Sequence, residues 1–241
     1  MAQSTHNLLS LARPGIEGVK RNWPAMLLLQ FVALLLVLGY YFVPAMTRGF
    51  DRLAIWKQST GLLGVAALTV LAGVAFPKIA RLAVGKPATD SRFGLTHELV
   101  FLTVLFAING VMVEFFYRGL GLLYGTENTW SVIVPKVLTD MFFFTPMIAL
   151  PYIALCFTVR DHGYRLGPSL REVGPAWYMR RVMTLQIPGW CYWAPIVTLV
   201  YSLPSSLQFM LFAFAMAAWS LVMVFIGDSV QDKSPAAQVV R

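Results

Sequence analysis

Six stretches of this chain run for about twenty residues almost without a charge, and that pattern constrains the fold more than any motif. A helix rises about 1.5 Å per residue, so about twenty apolar residues match the hydrocarbon core of a bilayer. The stretches cover 25–43, ending at Pro44; about 60–76, ended by Pro77 and Lys78; about 99–117; about 131–157; 182–203; and 207–226. With 58% hydrophobic and only 12% charged residues, the chain carries about half the charge of a soluble domain. The expected fold class is all-α, a polytopic membrane helical bundle of about six hydrophobic segments. Residues 1–24 are expected as a cytoplasmic N-terminal tail, 25–226 as the helical membrane domain and 227–241 as a C-terminal tail. The fifth run contains Pro188 and Pro195 and reads equally as a re-entrant or interfacial helix, so five spans is the alternative count.

The net charge of +8 has no lysine-rich tail or nucleic-acid motif behind it, so nucleic acid is not an expected partner. It fits cationic loops held on the cytoplasmic side. Polar loops are expected at 48–57, 78–98, 118–130 and 160–181. Six spans with both termini inside leave only Arg48, Arg52, Lys57, Arg118 and Lys136 on the other side, whereas five spans move Lys233 and Arg241 across as well. Six is therefore preferred. The first 24 residues hold Arg13, Glu17, Lys20 and Arg21 without the apolar core of a cleaved signal peptide, although their composition also suits a mitochondrial presequence. Cys156 and Cys191 lie in apolar runs and are read as small packing residues.

Polar residues inside the apolar runs are the candidates for function, because a carboxylate deep in a bilayer costs a few kcal/mol and needs a partner. In the stretch VPKVLTDMFFFTP, Lys136 and Asp140 stand four apart, close enough on a helix to pair. Asp140 lies about 13 Å along that helix from Ser131. The third run ends with Glu114 and Arg118, again four apart, and the six-span topology brings all four charges to one non-cytoplasmic boundary. They are either two self-satisfied pairs that staple helices or a charged vestibule on a solute path; in a third reading Lys136 snorkels to the interface. Asn109 is expected to hydrogen-bond across helices, and Thr69 with Gly73 and Ala213 with Ala217 to form packing seams. Pro146, Pro151, Pro188, Pro195 and Pro204 free backbone carbonyls that something else must satisfy. Trp177, Tyr178, Trp190, Tyr192, Trp193 and Tyr201 read as an interfacial aromatic belt.

Catalytic constellations are absent from the sequence. His6, His97 and His162 share no spacing, no H-E-x-x-H or G-x-S-x-G occurs, and the glycines of GLGLLYG follow a helix rather than a strand. No catalytic, cofactor-binding or metal-binding residue is expected, and no enzymatic activity. His162 is expected as an exposed loop residue.

KVLTDMFFFTP resembles the K-x-x-x-D-Q-x-x-x-x-P signature of the Mpv/PMP family of mitochondrial inner-membrane and peroxisomal membrane proteins and their bacterial relatives. Lys136, Asp140 and Pro146 match, while Met141 stands in place of glutamine. EFFYRGL is similar to H-x-W-Y-x-x-L through Tyr117 and Leu120, with Glu114 and Phe116 replacing the histidine and tryptophan. WCYWAPIVTLVYSLPSSLQ is similar to W-P-x-x-Q-x-x-N-F-x-x-V-P-x-x-x-R through Trp193, Tyr201 and Pro204. There Gln208 stands for the arginine, and Trp219 keeps the family's spacing from that position. The resemblance covers about 60–225, which makes the first run an addition. It implies an all-helical membrane protein without enzymatic chemistry and of the kind proposed as a channel for small solutes. The expected function is channel-like transport of small solutes through the charged vestibule, and the alternative is a non-transporting structural or interaction protein that supports membrane homeostasis. The expected partners are bilayer lipids and small solutes, with a homo-oligomer as an allowed assembly. The extra first run and the altered signatures favour a bacterial plasma membrane over a mitochondrial inner membrane.

Overall fold

A computed structural model of the chain describes residues 2–83, 85, 87 and 93–231, with side chains described at 20, 23–186 and 188–220 within those ranges. The described residues are helical apart from short connections, an all-α membrane bundle with no strand among them. In chain order the helices are α1 (Ala2–Phe42), α2 (Pro44–Val70), α3 (Phe76–Ala83), α4 (Leu95–Tyr124), α5 (Trp130–Thr139), α6 (Leu150–Asp161), α7 (Leu166–Glu172), α8 (Pro175–Tyr178), α9 (Thr184–Tyr201) and α10 (Ser205–Gln231). Wider π-helical segments, Leu71–Ala75, Asp140–Ala149 and Met179–Met183, carry α2 into α3, α5 into α6 and α8 into α9.

Four helices are long and apolar enough to cross a membrane: Trp23–Phe42, Pro44–Ala83, Leu95–Tyr124 and Trp130–Asp161. The chain is thus an integral membrane protein, and exposed leucines within these helices, such as Leu63 at 83%, suit a lipid environment better than water. The fifth run is one unbroken 18-residue helix, α9, about 27 Å long. The sixth lies on α10, apolar over Ser205–Ser220 in the part whose side chains are described.

Local chemistry sets the boundaries. Val43 is extended (φ −117°, ψ 103°), as the residue before a proline prefers to be, and Pro44 opens α2, where its missing N–H costs nothing. Gly125, at φ +96°, ends α4 by returning its N–H to Gly121 O at 3.0 Å. Inside α2, Gly61 breaks the helical path with φ 55° and ψ −137°, a conformation that side chains disfavour.

Several expected connections are instead helical. The segment 48–57 is not a loop but the first half of α2, and Lys57 lies buried on it. Helix α4 continues through 118–124, which leaves only 125–129 as connection. The backbone of 2–24, expected as a tail, belongs to α1, and that of 227–231 to α10. Lys86, Arg92, Lys233 and Arg241, which entered the charge count, lie outside the described residues.

The helices gather in two compact units. One comprises Met1–Gln30 and Phe115–Ser205; the other comprises Phe31–Glu114 and Ser206–Arg241. In the first, α9 packs along α5 and the π-helical segment after it, and α6 packs against α7 and the segment Met179–Met183. In the second, α2 and its π-helical continuation pack against α4 where side chains are small. A β-carbon on Gly110 would strike the side chain of Thr69, and one on Gly73 would lie 2.7 Å from the Phe106 ring. The Thr69–Gly73 pair therefore forms a seam against α4. Lys78 and Glu98 close an ion pair at 2.9 Å in the same unit.

Candidate functional site

Within the first unit, α5, its π-helical continuation and α9 assemble a buried polar centre around Asp140. The carboxylate is 5% exposed and accepts hydrogen bonds from the Tyr201 hydroxyl at 2.7 Å and the Thr145 hydroxyl at 3.1 Å. The winding explains the choice of partner. From Asp140 onward the helix closes i→i+5 turns, so the residue stacked above Asp140 is Thr145, five residues on. Lys136, four residues back on α5, is buried at 2% exposure, yet it forms no ion pair with Asp140 or with any other described carboxylate. Its ammonium instead stands 5.8 Å from the centroid of the Tyr201 ring, a cation–π arrangement. The expected Lys136–Asp140 staple is thus absent, and so is snorkelling by Lys136 to an exposed position. Tyr117, also buried, meets Tyr201 edge-on at 5.3 Å.

The prolines account for the rest of the centre. In the i→i+5 register, Pro146 cannot supply the N–H that Met141 O would receive, and that carbonyl takes the Trp190 indole N–H at 2.9 Å. Gln186 Nε2 also points there, at 3.5 Å, while Gln186 Oε1 is buried without a partner. Leu150 N–H bonds Thr145 O, so Pro151 next leaves Pro146 O free; the Tyr178 hydroxyl donates to it at 2.9 Å. Pro195 leaves Cys191 O unbonded in α9, and Gln30 of α1 donates to it at 2.8 Å. The aromatic residues therefore depart from the belt reading. Trp177 is buried and donates to Thr158 Oγ1 at 3.0 Å, Tyr178 and Trp190 bond freed carbonyls, and Tyr192 and Tyr201 are wholly interior. Trp193 is half-buried, edge-on to Tyr192 at 5.1 Å. Pro204 separates the end of α9 from the start of α10.

A groove of about 520 Å³ in this unit is lined by Phe116, Gly119, Leu120, Leu122, Leu123, Thr139 and Phe143, and neither Lys136 nor Asp140 belongs to its lining. Phe116 stacks on Phe144 at 3.9 Å beside it. Arg118 is exposed on the same turn of α4.

Glu114 belongs to the second unit and has a partner that sequence spacing did not offer. Its carboxylate meets Lys57 Nζ at 2.6 Å, both side chains nearly sealed from the surroundings. The same ammonium lies 5.0 Å from the Phe209 ring centroid. Gln208 is buried next to Phe209 on α10, and Trp219 is half-buried further along the helix. Asn109 does not bridge helices as expected; its Oδ1 is buried without a hydrogen-bond partner.

His162 is only half-exposed: Nδ1 lies 3.0 Å from Thr158 O at the end of α6, and Nε2 lies 3.7 Å from Glu172. Cys156 is half-buried and Cys191 exposed on α9, both free thiols.

Spacing flagged Lys136, Asp140, Glu114 and Pro146 but missed Lys57, Thr145, Gln186, Trp190 and Gln30. The usable signal was the polar residue in an otherwise apolar run: Gln30, Thr145 and Gln186 each stand among hydrophobic neighbours. Comparison with protein-family models, curated proteins and solved structures finds no match for this chain.

Proposed function

We propose that the protein moves small solutes across the membrane, using Lys136 and Asp140 at an occluded polar centre rather than in an open vestibule. The observation that carries this is the cation without a counter-ion. Lys136 is 2% exposed in an apolar span and has no carboxylate within ion-pair distance among the described residues. An ammonium so placed costs several kcal/mol, and such groups persist in membrane helices where a solute, ion or proton completes them. The orphaned Gln186 Oε1 is a second group awaiting a donor in the same unit. The matching Lys136, Asp140 and Pro146 of the Mpv/PMP resemblance are all buried here, which supports the same assignment. Six spans with both termini on the cytoplasmic side of a bacterial plasma membrane complete the reading.

The test is flux through liposomes that hold the purified chain, over a panel of anionic, cationic and neutral metabolite-sized solutes. Native protein conducts at least one class, and Lys136→Met and Asp140→Asn each lower that flux at least tenfold. A flux that neither substitution changes removes the polar centre from the mechanism. A structural role is the second reading, favoured by the closed Lys57–Glu114 pair and the satisfied proline carbonyls. It predicts no flux above that of empty vesicles.

A further inference from the structure

After Asp161, the end of an apolar helix long enough to cross a membrane, the chain folds back against α6. Trp177 of α8 donates to Thr158 and packs with Ala154 and Val182, against which Leu150, Leu155 and Tyr178 also rest. Ala154 and Thr158 lie three to seven residues before the end of α6, about 5–10 Å back along the helix. His162 bonds the last turn of α6 and reaches toward Glu172. Residues 163–176 are thus tethered at both ends to the end of a helix long and apolar enough to cross a membrane.

What this segment presents there is mixed in a particular way. Leu166 (63%), Leu170 (57%) and Val173 (43%) are exposed on or beside α7, a large apolar display for a segment in water. Arg165 and Arg171 are exposed in the same segment and Arg180 just after it, with no described carboxylate in ion-pair distance. The acidic residues of the segment are otherwise engaged. Asp161 meets Arg160 at 3.3 Å and Arg181 at 3.7 Å, and Glu172 faces His162.

We infer that this segment is a docking surface for anionic phospholipids of the bilayer in which the protein sits. Leu166, Leu170 and Val173 enter the acyl boundary, and Arg165, Arg171 and Arg180 hold headgroup phosphates by forked N–H···O contacts. Charge complementarity selects this occupant: three exposed cations without counter-ions accompany exposed apolar side chains where the chain leaves an apolar helix, the combination that interfacial helices use to bind anionic leaflets. The inference rests only on the chain being a membrane protein and is independent of transport.

The full chain, purified in non-ionic detergent, is titrated with dioleoyl-phosphatidylglycerol or dioleoyl-phosphatidylcholine, and bound lipid is counted by native mass spectrometry. The native chain retains phosphatidylglycerol in preference to phosphatidylcholine. Arg165→Gln, Arg171→Gln and Arg180→Gln each weaken that preference about fivefold, the effect of roughly 1 kcal/mol per basic residue near an anionic surface. The three Arg→Lys exchanges, which keep the charge but lose the fork, retain only part of it, and the preference falls as salt is raised. All three sites are exposed, so the melting temperature stays unchanged in every variant. Equal retention of the two lipids by the native chain, or undiminished phosphatidylglycerol binding by the triple Gln variant, overturns the inference and leaves the surface to an acidic protein partner.

Discussion

Replacing Tyr178 by phenylalanine removes a single hydroxyl, the one that donates to Pro146 O at 2.9 Å. That carbonyl needs an outside donor because Pro151 has no N–H to return in the i→i+5 register set by Leu150 and Thr145. Inside a membrane no water replaces the lost bond. Leaving a buried carbonyl unsatisfied costs about 1–3 kcal/mol, whereas interhelical hydrogen bonds in membrane proteins average about 0.6 kcal/mol when measured pairwise. Because Tyr178 is itself only half-buried, the lower half of that range applies, about 1 kcal/mol. The discriminating experiment is a double-mutant cycle with Pro151→Ala, which gives position 151 its own N–H. In that background the carbonyl has a backbone donor, and Tyr178→Phe then costs close to nothing. Unfolding of the purified chain in mixed micelles, followed by tryptophan fluorescence, gives the four free energies. If Tyr178→Phe costs the same in the Pro151→Ala background as in the native chain, the hydroxyl is not standing in for the missing amide. The proline then does not explain why Tyr178 is there.

Further outcomes follow from the other buried groups. Lys57→Met removes the ammonium that meets the buried Glu114 carboxylate and destabilises the chain by about 3–5 kcal/mol, whereas Lys57→Met with Glu114→Gln recovers part of the loss; chemical denaturation measures both. Tyr201→Phe strips Asp140 of its shorter hydrogen bond at a cost of about 1.5–3 kcal/mol, and that cost shrinks in the Asp140→Asn background. Gly110→Ala drives a β-carbon into the Thr69 side chain and costs about 1–3 kcal/mol by the same assay, relieved when Thr69 is shortened to alanine. Liposome flux of the conducted solute class falls at least tenfold with either Lys136→Met or Asp140→Asn.

The length and spacing of the apolar runs determined the class of this protein, because a bilayer admits little else than helices of that length. The ends of several elements were also legible from local chemistry: Pro44 announces the break after α1, and the run beginning near Ser131 became the helix Trp130–Asp161. Likewise, the need for outside donors at the prolines could be read directly, since a missing N–H is a property of the residue itself. Which donors answer was decided only in three dimensions. Trp190, Tyr178 and Gln30 lie 49, 32 and 161 positions from the carbonyls they bond. The pairing of charges was likewise tertiary. Spacing by four suggested Lys136 with Asp140, but a helix that widens at Asp140 hands the carboxylate to Thr145 and Tyr201. Lys57, read as a loop residue because charges cluster around it, was drawn inside by Glu114, a partner 57 positions away that no local pattern could name. Each segment's own residues dictate what it must bury or satisfy within a turn or two; the partner that does so across helices depends on packing, which local spacing does not encode.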